Sequence, residues 1–298
     1  MKTFYDCIPC FLRQSLDSVR MITADKAIHE HLLREVLASL AKMDLRQSPP
    51  AIGKHIHRLI RELTGQDDPY REVKAKCNQM ALDLYCELQQ RVEESDNPLD
   101  MAIRLAVAGN VIDLGVNSSL ADEDVHEAID HAIDAPLNMD LQAFQQAITG
   151  AETILYLADN AGEIVFDKLL ICQLPTDKVT VAVRGAPTIN DATMADAEAV
   201  GLTELVNVID NGSDAPGTIL GDCSSAFRQA FSQANLVIAK GQGNYETLSE
   251  VSKDIFFILK AKCPVIATDL SCELGSLVVR RSNFAAALPE KGTSDARL

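Results

Sequence analysis

The hydrophobic period of this chain changes once, near residue 150, and that change limits the folds open to it. Before it, apolar residues recur at spacings of three and four. In "ADKAIHEHLLREVLASLAKM" Ile28, Leu32, Leu33, Val36, Leu37 and Leu40 share one helical stripe, with Thr23 placed as its N-cap. "PPAIGKHIHRLIRELTG" repeats the pattern through Ile52, Ile56, Leu59, Ile60 and Leu63, opened by Pro50 and closed by Gly65. A longer helix is expected from about Asp68 to Glu94, with Val73, Cys77, Met80, Leu84, Leu88 and Val92 on one face. "PLDMAIRLAVAGNVIDLG" and "LADEDVHEAIDHAIDA" continue the helical character.

After residue 150 the apolar runs become short and β-branched: "TILYLA" (153–158), "KVTVAV" (178–183), "LVNVID" (205–210), "NLVIA" (235–239) and "CPVIA" (263–267). Helical stretches separate them. "DIFFILKAK" fits either period, "SLVVRR" (276–281) offers a last strand, and no period survives beyond Arg281. Strands alternating with helices imply parallel pairing through crossover connections, because a parallel strand must be reached by a long return path. The expected fold class is therefore α/β, a Rossmann-like three-layer parallel sheet with an all-helical N-terminal region packed on it. The helical region is assigned to 1–148, divisible near 1–65 and 66–148, and the α/β unit to 149–298.

Charge removes one class of function. A formal net charge of -16 leaves no Lys/Arg cluster of the kind that binds nucleic-acid phosphates. An anionic substrate would need local cations or a bound metal to offset that field. No stretch approaches the roughly 20 apolar residues of a membrane span, and "MKTFYDCIPCFLRQSL" is broken by polar residues where a signal peptide would be apolar. The expectation is a cytoplasmic protein with no membrane partner; a homo-oligomer stays open. Eight scattered cysteines do not form a secreted disulfide framework. Cys7 and Cys10 make a lone CxxC, read as packing ahead of metal contact and redox chemistry, since closed zinc sites take four ligands. His29/His31, His55/His57 and His126/His131 are spaced so that each pair diverges on a helix.

In open parallel sheets, ligands collect beyond the carboxyl ends of the strands. Those ends carry "DNAGE" (159–163), "RGAPTINDAT" (184–193), "DNGSDAPGT" (210–218) and "KGQGNYE" (240–246). Each alone reads as turn or cap chemistry, and "KGQGN" matches neither a dinucleotide fingerprint nor a P-loop. Together they offer three hard oxygen ligands, Asp159, Asn160 and Asp191, suited to Mg²⁺, Mn²⁺ or a similar ion. Lys240 would set an ammonium against a phosphate, with Gly241 and Gly243 letting backbone amides approach. Asn110 and Asp113 are three apart at a helix end before Gly115, so both can project one way, as a C-cap would. Asn190 caps the helix start or contacts substrate. Glu163 is the candidate base, and Asp167 reads as an ordinary helical position.

In order along the chain, "CIPC", "GNVID", "DNAGEIVFDKLL", "PTINDATMADAEAVGL", "NGSDAPGT", "VIAKGQGNYETL" and "LKAKCPVIA" resemble the damage-control phosphatase family, once called domain of unknown function 89, closest to the subfamily with an N-terminal CxxC. The resemblance implies metal-dependent phosphatases of phosphorylated, including damaged, metabolites. It implies that Asp159, Asn160 and Asp191 bind Mn²⁺, Co²⁺, Ni²⁺ or Mg²⁺, that Lys240 contacts phosphate, and that Asn110 and Asp113 stand at the rim of the site. Two alternatives are a nucleotide- or S-adenosylmethionine-binding transferase, which Arg184 disfavours where an acidic ribose contact would stand, and a phospholigand-binding module without turnover.

Overall fold

The computed structural model describes residues 1–111 and 122–282. Among these residues, six helices open the chain: α1 (Cys7–Ile22), α2 (Lys26–Leu40), α3 (Pro49–Thr64), α4 (Arg71–Glu94), α5 (Pro98–Val111) and α6 (Asp122–Asp134). α3 starts and stops as its sequence dictates. Proline occupies the first turn, where a missing N–H is harmless, and Gly65 closes it at φ 67° with its N–H on the Arg61 carbonyl. The cap of α2 is Asp25 rather than Thr23: the Asp25 carboxylate accepts the Ala27 N–H at 2.8 Å, while the Thr23 hydroxyl accepts the Asp25 N–H. The carboxylate wins because it carries full charge at the helix's positive end.

The remaining elements are β1 (Leu137–Asn138), α7 (Leu141–Gly150), β2 (Ile154–Leu157), α8 (Glu163–Ile171), β3 (Val179–Val183), α9 (Met194–Ala199), β4 (Asn207–Asp210), α10 (Ser225–Gln233), β5 (Leu236–Lys240), α11 (Gly241–Leu248), β6 (Ile255–Lys260), α12 (Pro264–Leu270) and β7 (Leu277–Arg281). The sheet order is β1-β7-β6-β5-β2-β3-β4. β2 to β6 are mutually parallel, as the alternation requires. Two strands toward one edge depart from that expectation: β7 pairs antiparallel with β6, and the two-residue β1 joins β7.

"CPVIA" is helix, not strand. Cys263 is the N-cap, Pro264 fills the first helical position, and the strand beside β5 is instead the apolar run Ile255–Lys260. α12 then ends on Ser271 at φ 54°, and with Gly275 at φ 89° the chain turns back to lay β7 antiparallel.

Residues alternate across the sheet. Ile154 and Tyr156 join one core with α4 to α9, while Leu155 and Leu157 join a second with α10, α11 and α12. α1, α2 and α3 pack around a third cluster of Phe11, Val19, Leu32, Val36, Ile52, Ile56 and Ile60. α3 then lies against the loops after β3 and β4, with Gly53 against Pro216 and the Arg61 guanidinium on the Pro187 carbonyl. Among the described residues no helix is long and apolar enough to cross a membrane. The strand order reverses between β2 and β5, so a crevice opens beyond their carboxyl ends.

Candidate active site

Backbone bonds, before any side chain, bring the two acidic loops together. The Ala192 N–H donates to the Asp159 carbonyl and the Ala161 N–H to the Asn190 carbonyl, both at 2.8 Å, and Asn160 and Asp191 form an isolated antiparallel bridge. Asp159, Asn160 and Asp191 are thereby held at one place beyond β2 and β3. Gly162 at φ 76° turns the chain into α8. Ile189, a β-branched residue at φ 44°, stores strain two residues before Asp191.

The side chains interlock around Asp159. The carboxamide nitrogens of Asn160 and Asn110 each donate to Asp159 Oδ2, at 2.8 and 3.1 Å, and to Glu163 Oε2, at 2.8 and 2.9 Å. The buried Arg184 donates from Nε to Asp191 at 2.6 Å, sets Nη2 3.6 Å from Asp159 Oδ1, and reaches Thr218 and Asn244 through Nη1. Gly241, at φ 77°, lies so close beneath that a Cβ there would stand 1.9 Å from Asp159 Oδ2. Its glycine is required by the carboxylate. Gly243 likewise leaves room for the Pro216 carbonyl. Asn190 is half-buried and contributes its backbone carbonyl.

Lys240 and Glu163 stand together in one buried group. Lys240 is fully buried, and its ammonium donates to the Ala106 carbonyl at 2.8 Å, to Glu163 at 2.7 Å and to Asp167. All three protons are engaged within the protein. Glu163 is equally committed, with Oε1 on Lys240 and Oε2 on two carboxamides. Burial alone would raise its pKa, but Lys240 and those bonds hold it below the usual range, which makes it a poor base. Asp167, read as ordinary, is the third member of this buried group; it also accepts from the Tyr156 hydroxyl at 2.7 Å. Strand parity carried the signal: Lys240 shares a face with Leu236 and Ile238, whose neighbours are α5 and α8.

Other residues of the site had weaker signals. Lys74 and Asn78 interrupt the apolar stripe of α4 and bind Asp196, as described below. The charge of Lys262, exposed just after β6, acts to lower the pKa of Asp159. Asp113 falls outside the described residues. Cys7 and Cys10 have raised thiol pKa values, mainly through burial, opposite to a reactive thiolate. A cavity of about 710 Å³ lies at the opposite, amino-terminal ends of β2, β3 and β4, lined among others by Glu152, Asp177, Lys178, Glu204 and Asn207. The loops that bring Asp159, Asn160 and Asp191 together lie instead at the crevice beyond β2 and β5.

The donors fit a divalent ion by their chemistry. Asp159 and Asp191 are carboxylates with raised pKa values. Asp159 reaches about 8, chiefly through burial and then through repulsion from Glu163 and Asp191, with Arg184 and Lys262 opposing. Carboxylates crowded beyond what their neighbours neutralise are what a cation relieves. Asn160, its nitrogen occupied, keeps a carboxamide oxygen for the same purpose.

Comparison with known proteins identifies the family. A model of the damage-control phosphatase ARMT1-like domain matches residues 3–278. A damage-control phosphatase of Pyrococcus horikoshii is 37% identical over 291 residues, covering 95% of this chain and 99% of that protein. A damage-control phosphatase of Archaeoglobus fulgidus is 33% identical over 281 residues, covering 92% and 97%. The crystal structure of a DUF89 family protein from Pyrococcus horikoshii gives a TM-score of 0.87 at 35% identity, over 95% of this chain and 99% of that one.

Proposed function

This chain belongs to the damage-control phosphatase family, and we propose that it is a divalent-metal-dependent phosphatase acting on a small phosphorylated metabolite. The observation that carries the reading is the backbone-bridged set Asp159, Asn160 and Asp191 at the switch point of the sheet. The printed names of the relatives support the reaction class; the donor chemistry supports the metal.

Asp159 and Asp191 would bind the ion through carboxylate oxygens and Asn160 through its carboxamide oxygen, a hard-donor set suited to Mn²⁺ or Mg²⁺ and open to Co²⁺ or Ni²⁺. The ion supplies a Lewis acid for the phosphoryl oxygen and a bound water of lowered pKa. The protein's own residues do the placing. Asn110 and the Asn160 carboxamide fix one oxygen of Asp159, and Arg184 fixes one of Asp191, leaving the others to the ligand. Lys262, an exposed cation whose charge acts on Asp159, would offset part of the acidic field that would repel a phosphate, and Lys240 holds Glu163 and Asp167 beside the ligands.

The test is to strip the protein with chelator, add back Mn²⁺, Co²⁺, Ni²⁺ or Mg²⁺, and follow release of phosphate from p-nitrophenyl phosphate and sugar phosphates. Metal-stimulated release is expected, with a loss of more than about 100-fold in Asp159→Ala, beyond what outer partners of a metal site usually cost. No stimulation, or full activity in that variant, overturns the reading.

A further inference from the structure

Behind the bridged ligands a second connection closes a ring. Asn78, on α4 of the helical half, is 4% exposed. Its Oδ1 accepts the Gly162 N–H at 2.7 Å, and its Nδ2 donates to Asp196 Oδ1 at 3.0 Å. Asp196 Oδ2 accepts the Thr193 N–H at 2.9 Å, the Thr193 hydroxyl at 2.7 Å and the Lys74 ammonium at 3.0 Å. Lys74 also pairs with Asp68 at 3.2 Å. Gly162 stands two residues after Asn160, and Thr193 two residues after Asp191. The two ligand loops are therefore joined in front by their own backbone bridge and behind by one carboxamide from another part of the chain.

Only a short carboxamide does this. Aspartate would turn an acceptor toward the Asp196 carboxylate, and leucine would leave a buried N–H and a buried carboxylate oxygen unpartnered. We propose that Asn78, held with Asp196 and Lys74, is a positioning residue for the metal ligands, setting the separation of the Asp159-Asn160 pair from Asp191. The inference rests on the metal reading above. Groups that orient metal ligands typically change affinity by about 10- to 100-fold when replaced.

Metal affinity provides a test without turnover: Mn²⁺ is titrated into the chelated protein and free Mn²⁺ is read from its electron paramagnetic resonance signal. Asn78→Asp is expected to weaken binding by about 10- to 100-fold and to speed hydrogen exchange at the Gly162 amide. The double variant N78D/D196N reverses donor and acceptor across the 78–196 bond and keeps the total charge. The carboxylate it places on α4 would still accept from Gly162, and the carboxamide oxygen it places on α9 would still accept from Thr193 and Lys74. It is expected to bind Mn²⁺ within about twofold of the original protein, since the cycle isolates that one bond. An Asn78→Asp protein that melts earlier yet binds Mn²⁺ unchanged overturns the inference in favour of a purely structural part. A folded double variant with weakened binding overturns it as well, and decides alone where Asn78→Asp does not fold. If the original protein binds no Mn²⁺, the metal reading falls and this inference with it; if it binds and Asn78→Asp matches it, the inference alone falls.

Discussion

At the carboxyl ends of β2 and β3, Asp159, Glu163, Asp167 and Asp191 face two buried cations, Arg184 and Lys240; where α3 meets the loop after β4, Asp214 and Asp222 face three, Lys54, Arg58 and Arg61. Burial pushes the pKa of both Asp159 and Asp214 upward. For Asp159 the neighbours add to it and the value reaches about 8. For Asp214 the hydrogen bonds and charges of Arg58, Arg61 and Lys54 outweigh it and the value falls to about 2. Burial has the same sign in each place, so local charge balance decides the outcome. The second cluster is a self-sufficient clasp between the helical half and the sheet. The first is short of positive charge, which suits it to take up a cation.

The largest expected effect separates the two parts that Lys240 has been given. Lys240→Met strands Glu163 and Asp167 in the interior, and loss of one partner of a buried pair costs about 3–5 kcal/mol. Urea unfolding should show that loss. A variant that folds with undiminished stability but a raised KM would restore Lys240 as a phosphate contact.

A second effect isolates α3, the helix that carries the clasp cations. His57 is buried on it, and burial, with a smaller contribution from Arg61, lowers its pKa to about 3. The folded state refuses a proton that the unfolded state takes up near pH 6.5, so stability present above that pH declines as pH falls toward 3. Between pH 7 and 5 this amounts to about 2 kcal/mol. His57→Leu should flatten the profile of urea midpoints over that window; an unchanged slope would show that some other group governs it.

The smallest effect bears on the comparison itself. In chelated protein at pH 7, Asp159→Asn should raise the melting temperature, because the folded carboxyl must take up a proton that the unfolded chain releases. Asp214→Asn should lower it, with a loss of about 1 kcal/mol of stability once the half-exposed Arg58 is discounted for solvent screening. The Asp214 contribution is present above about pH 4 and lost as pH falls through about 2, so the gap between Asp214→Asn and the original protein should close over that range. Shifts of the same sign in both variants would mean that the clusters do not differ in charge balance.

Much of the fold was legible because it rests on period. The helical stripes, five of the seven strands among the described residues and the polar strand tips followed from spacing and β-branching. "CPVIA" misled because its β-branched residues suited a strand, while Pro264 and the Cys263 cap suited a helix and the adjacent run already filled the sheet position. The helix-end position of Asn110 reads only as a cap and the family resemblance points it to the rim of the site; the structure puts its carboxamide on Asp159 and Glu163. Asn78 and Asp196 escaped notice because they lie 118 residues apart and only their hydrogen bond gives either a part in the site.

By itself, then, the sequence determined where the chain turns from helix to alternating strand and helix, and which oxygen-bearing residues stand at the strand ends. Backbone propensity and hydrophobic period are local, and they act through the nearest few residues. Which charge meets which was decided only in the tertiary structure. Lys240 ends a strand whose parity directs it to a buried face, but its partners come from α5 and α8, 134, 77 and 73 residues away. Electrostatic balance depends on distances through space, and no local pattern in the chain encodes those.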